Sequence, residues 1–143
     1  MKNTIEINLY FDGTVVTHDY PRVGYDIGAI TVLKKLVENG HRLILFTMRS
    51  DGSNFDRLDG TTDNHGLTDA INWFKTNDIP LYGIQKNPTQ LNWTTSPKSY
   101  APLMIDDSAL GCPLKIDLAI SPRPFVDWVK VEEILTKMNL INV

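Results

Sequence analysis

Carboxylates, hydroxyls and a lysine stand where short apolar runs end. Ile5 to Phe11 leads into Asp12-Gly13-Thr14, Leu43 to Phe46 leads into Thr47 with Arg49 two residues on, and Ala101 to Ile105 leads into Asp106-Asp107. Lys98 lies in the loop before that last run. If the runs are neighbouring parallel strands, their ends converge at one edge. Carboxylates gathered there repel one another unless a cation neutralises them. Oxygen donors at this density favour Mg2+, which takes few protein carboxylates and keeps several waters. Thr47 and Lys98 are then donors for phosphate oxygens, one neutral and one charged. Arg49 either reaches a substrate anion or pairs with a nearby aspartate. Singly, each feature is ordinary: Asp-Gly is a turn pair, paired aspartates start loops or cap helices, and a loop lysine is solvated. Only their order and spacing together point to metal-and-phosphate chemistry.

The elements between these ends have the pattern needed to bring them together. Asp26 to Glu38 carries Ile27, Ile30, Leu33, Leu36 and Val37 at helical spacing, with Asp26 as N-cap and Asn39-Gly40 as the stop. Leu67 to Thr76 and Trp128 to Met138 read as two further helices. Leu81 to Ile84 and Ile116 to Ile120 read as short strands beside the three already named. Ser50 to Gly66 is a long polar connection, and Asn87 to Lys98 is a polar loop. Strands alternating with helices imply a parallel sheet covered on both faces, whose ligands bind outside the carboxyl ends of the strands.

Bulk composition narrows the classes. At 143 residues the chain suits one domain, 1–143, with one core. A formal charge of −3 gives no general basic footprint for nucleic acid or membrane surfaces. No stretch reaches the roughly 20 apolar residues of a membrane span, and the N-terminus does not read as a signal peptide. The single cysteine, Cys112, cannot form an intrachain disulfide and has no zinc ligand set around it. Together these features imply a cytoplasmic protein in a reducing compartment. His18 and His65 lie in loops near the edge that carries the aspartates, where histidines are more often surface residues than catalysts.

Ile7 to Thr14 resembles the first signature of the haloacid-dehalogenase (HAD) superfamily, an apolar strand followed by Asp-x-Asp-Gly-Thr. Leu43 to Thr47 resembles its second motif, Lys98 is placed like its third-motif lysine, and Met104-Ile105-Asp106-Asp107 resembles its fourth. Gly24, Gly40-His41 and Arg123 to Trp128 are similar to small members as well. The resemblance implies a Rossmann-like α/β fold, a parallel sheet with helices on both faces. It implies a Mg2+-dependent phosphatase site with Asp12 as acid/base, Thr47 and Lys98 on the phosphoryl group and Gly13 beside the phosphate; Arg49, from its position two residues past Thr47, is the further phosphate-binding candidate. It places Asp12, Asp106 and Asp107 around the metal. The connections after Thr14 and after Thr47 are too short for a cap domain. A capless site is open, which suits a large substrate, a lid from a second subunit of a homo-oligomer, or partial cover by Ser50 to Gly66.

One position departs from the pattern. Where the family has its nucleophilic, metal-binding aspartate, this chain has Tyr10. A phenol with a pKa near about 10 is almost wholly neutral at pH 7 and a poor nucleophile. Loss of the nucleophile lowers turnover by about 10⁶-fold in a serine protease, and a comparable penalty is expected on the phospho-aspartyl route. The sequence therefore reads as a phosphatase-type site, inactive or strongly weakened, that still holds Mg2+ and a phosphorylated small molecule or macromolecule. Two alternatives remain: hydrolysis by a metal-activated water with Asp12 as base, and a scaffold that has kept only the fold.

Overall fold

β1 (Glu6–Leu9) lies in the interior of a four-stranded parallel sheet of order β3-β2-β1-β4, with β2 at Arg42–Leu45, β3 at Gly83–Ile84 and β4 at Leu103–Ile105. The computed structural model describes residues 3–52 and 65–142. Ile7 pairs with Leu43 on one side and Leu103 on the other, and Leu9 with Leu45 and Ile105. Ile7, Leu9, Leu43, Ile44 and Leu45 have no solvent exposure, and of the two strands β2 is apolar at successive positions whereas β1 places the buried, Ser99-bonded Asn8 between Ile7 and Leu9. The expected central strand and its two neighbours are thus in place.

The strand order decides where the helices go. The path β1–α1 (Ala29–Glu38)–β2–α2 (Gly66–Thr76)–β3 steps outward in one direction. Right-handed crossovers then put α1 and α2 on the same face. The return from β3 past β1 to β4 reverses direction, so that connection crosses the opposite face. Accordingly Leu33 and Leu36 of α1, Ala70 and Phe74 of α2, and Val131 and Leu135 of α3 (Trp128–Lys137) share one core with Ile7, Leu9, Leu43 and Leu45. Among the described residues, the element on the opposite face is a 3-10 helix, Pro88–Asn92, so the expectation of helices on both faces is met there by a short element alone. Polar groups fasten it there. Gln90 Nε2 donates to Lys98 O, and Asn8 Nδ2 donates to Ser99 O at 3.0 Å.

Two local expectations change. Ile116 to Ile120 is not a strand: Ile116 and Leu118 are exposed, and Asp117 starts a turn that accepts the N–H groups of Ile120 and Ser121. A small antiparallel pair, β5 (Leu114–Lys115) and β6 (Phe125–Val126), forms instead. α1 begins at Ala29 rather than beside Asp26, because Gly28, at φ 94°, makes the entry turn and Asp26 caps the Gly28 N–H. Most of the polar stretch Ser50 to Gly66, read as a partial cover, lies outside the described residues, which resume at 65. Among the described residues no helix is long and apolar enough to cross a membrane.

Candidate functional site

Strand order reverses between β1 and β4, and a crevice forms at the carboxyl ends of strands where neighbouring connections leave in opposite directions. A cavity of about 750 Å3 opens there. Tyr10 and Asp12 line it from the end of β1, Phe46, Thr47, Met48 and Arg49 from the end of β2, and Asp106, Asp107 and Ser108 from the end of β4. His18, Tyr20 and Arg123 complete the wall. The convergence expected of the strand ends is therefore realised for Tyr10, Asp12, Thr47, Arg49, Asp106 and Asp107.

Asp12 is not free. Arg49 grips its carboxylate with two charge-assisted bonds, Nε to Oδ2 at 2.8 Å and Nη2 to Oδ1 at 2.7 Å. The remaining guanidinium N–H groups donate to the carbonyls of Pro21, Arg22 and Gly66. The guanidinium also lies over the Phe11 and Tyr20 rings, 5.0 and 5.1 Å from their centroids. Arg49 is 2% exposed and ties three chain segments together. It is not available as a phosphate donor, which corrects the first of its two expected roles in favour of the second.

Thr47 is held by its main chain. Gln85 accepts its N–H at 2.8 Å and donates back to its carbonyl at 2.7 Å. Its Oγ1 accepts the Arg49 N–H, so the hydroxyl proton remains to be given to a ligand oxygen. Lys98 is elsewhere. It is exposed, precedes β4 and does not line the cavity, with its carbonyl bound by Gln90 of the 3-10 helix. The lysine carried to the edge of Thr47 is Lys86, which follows β3 and is half-buried but does not line the cavity. A lysine two residues after the short run that ends at Ile84 was the available signal for it. Gly13 likewise does not offer its N–H to a ligand, because Val16 O accepts it at 2.8 Å.

Gly13 serves a different purpose. With φ at 77°, it turns the chain, and a Cβ there would sit 2.0 Å from His18 Nε2 and 2.7 Å from Asp107 Oδ2. The missing side chain makes room for His18 to pair with Asp107 at 3.0 Å while Thr14 Oγ1 donates to the other carboxylate oxygen at 3.1 Å. His18 is thus an oriented cavity residue rather than a surface histidine, a role that only the close approach to Gly13 reveals. Gly13→Ala is expected to break the His18–Asp107 bond and to destabilise the fold by more than about 1 kcal/mol. Shifted His18 ring resonances and a lower melting temperature would check it.

Burial pushes the Tyr10 phenol above its ordinary value, and the nearby carboxylates of Asp12, Asp106 and Asp107 push it further, against Arg49. The phenol stays protonated through neutral pH. Burial likewise pushes up the Cys112 thiol, which leaves it a poor nucleophile.

For a metal, the donor set is sparse. Among the described residues no group of three or more His, Cys, Asp or Glu side chains is placed to hold one. Asp12 is gripped by Arg49, and Asp107 is shared by Thr14 and His18. Asp106 Oδ1 accepts from Ser108, and its Oδ2 takes no hydrogen bond from the described residues. Such a set fits a hydrated Mg2+ held by one carboxylate rather than a closed protein cage.

No protein-family model matches the chain, and no curated protein matches it. A solved structure of a conserved protein coded by a locus of Bacteroides thetaiotaomicron is 30% identical to it, with a TM-score of 0.69. The match covers 95% of this chain and 93% of that one. On that identity and coverage, the chain belongs to the same family as the conserved Bacteroides thetaiotaomicron protein.

Proposed function

We propose that the cavity is a phosphatase-type site of the HAD kind, without a cap domain, that binds a phosphorylated ligand and has lost efficient hydrolysis. The observation that carries this reading is the condition of two side chains. Tyr10, at the nucleophile position of the motif, presents a protonated phenol, and Asp12, at the acid/base position, is clasped by Arg49. Covalent attack and proton transfer are thereby weakened together, while groups that bind without reacting remain. The Thr47 hydroxyl is free to donate to a phosphate oxygen. Mg2+ would be held by Asp106, with Asp107 through water and the Asp12 main-chain carbonyl beside it. When bound, it supplies positive charge against the phosphate oxygens. The absence of a cap agrees with the single ten-residue helix between β1 and β2 and suits a ligand that reaches the open cavity directly.

The test is hydrolysis of a panel of phosphomonoesters with Mg2+, alongside titration with inorganic phosphate. The expected outcome is saturable phosphate binding with turnover at background. Efficient turnover by the unmodified chain would overturn the reading in favour of metal-activated water. Neither turnover nor binding would leave a scaffold.

A further inference from the structure

The cavity wall carries the carboxylates of Asp12, Asp106 and Asp107 against the guanidinium groups of Arg49 and Arg123. A phosphate entering it needs a protein cation that is still free to bind. Arg49 has every N–H engaged, and neither Lys98 nor Lys86 lines the cavity. Arg123 remains. It lines the cavity, it is exposed, and its guanidinium makes no ion pair or hydrogen bond among the described residues.

Its mounting is stiff for an exposed residue. Pro122 and Pro124 flank it and fix φ on either side. Its N–H donates to the Oγ of buried Ser121 at 3.2 Å. Two residues after Pro124, the Val126 N–H donates to Gly13 O at 3.0 Å, so the Arg123 segment is tied to the turn after β1. A fixed backbone lowers the entropy lost when a long side chain is ordered on a ligand. The planar fork also matches two phosphate oxygens, which a lysine ammonium cannot do.

We propose that Arg123 is the residue that anchors the anionic group of the ligand, in the place that the sequence motif gives to a lysine. This rests on the reading of the cavity as a phosphate-binding site. It goes beyond that reading in naming the cation and in making recognition depend on the Pro-Arg-Pro segment before β6.

The experiment is calorimetric titration of the full chain with inorganic phosphate in the presence of Mg2+, compared with Arg123→Ala, Arg123→Lys, Lys86→Ala and Lys98→Ala. Arg123→Ala is expected to weaken binding about tenfold or more, as loss of a charge-assisted contact does. Arg123→Lys should recover part of it, and the two other lysine variants should bind within about twofold of the parent. Arg123 is exposed, so its removal should leave the melting temperature unchanged, which separates lost binding from lost folding. Binding by Arg123→Ala equal to the parent would overturn the assignment while leaving the cavity reading intact, as would a larger loss in Lys86→Ala or Lys98→Ala. Absence of saturable phosphate binding in the parent would overturn both.

Discussion

Tyr10→Asp is expected to raise Mg2+-dependent hydrolysis of an aryl phosphate by about 10²- to 10⁴-fold over the unmodified chain. The substitution supplies an ionised nucleophile, adds a carboxylate beside Asp106, and removes a ring from the cavity wall. Removal of a nucleophile can lower turnover by about 10⁶-fold. The gain falls short of that because Asp12 stays in the grip of Arg49, and a missing general acid costs about 10²- to 10⁴-fold. Positioning and charge stabilisation supply most of the catalysis in phosphoryl transfer, so the groups already in place should respond to a returned nucleophile. Steady-state rates with and without chelator measure it. A folded, metal-loaded aspartate form with no activity would show that the site has lost more than its nucleophile. A high rate in the unmodified chain would show that Tyr10 is no obstacle.

Arg49→Met is expected to destabilise the protein by about 3–5 kcal/mol, because it leaves the buried Asp12 carboxylate uncompensated. It also leaves the carbonyls of Pro21, Arg22 and Gly66 without their guanidinium donors. Against a typical total of about 5–15 kcal/mol, this brings the fold close to unfolding at ambient temperature. Urea denaturation checks it, through a fall in midpoint with little change in slope. Adding Asp12→Leu should restore part of the loss, since the orphaned charge goes with it. An unchanged midpoint in Arg49→Met would show that the clasp is not a structural tie.

The scaffold and most of its edge are legible in the chain alone. The apolar run at 43–46 and the strand patterns at 5–11 and 101–105 read as neighbouring parallel strands, of which β1 and β2 are largely buried while Met104 of β4 stays exposed. Residues attached directly to their ends, Asp12, Thr47, Asp106 and Asp107, accompany them to one cavity. Tyr10 is legible as a residue of the cavity wall, since it stands one residue beyond the end of β1.

Contacts between distant segments settle the rest. Whether Arg49 meets a ligand or Asp12 turns on a 37-residue separation in sequence and on carbonyls from two further loops. Lys98 matches a motif by order alone, but it precedes its strand. The next residue, Ser99, is bonded to Asn8 in the middle of β1, and Lys98 is not among the residues that line the cavity. His18 becomes a cavity residue because Gly13 lacks a Cβ, and Arg123 because Val126 bonds to that same glycine. α1 and α2 settle on one face because the path from β1 through β2 to β3 steps in one direction before it reverses at the return to β4. Local pattern carries the elements and their ends, whereas pairing of charges and choice of face depend on crossover direction and on long-range hydrogen bonds that no periodicity records.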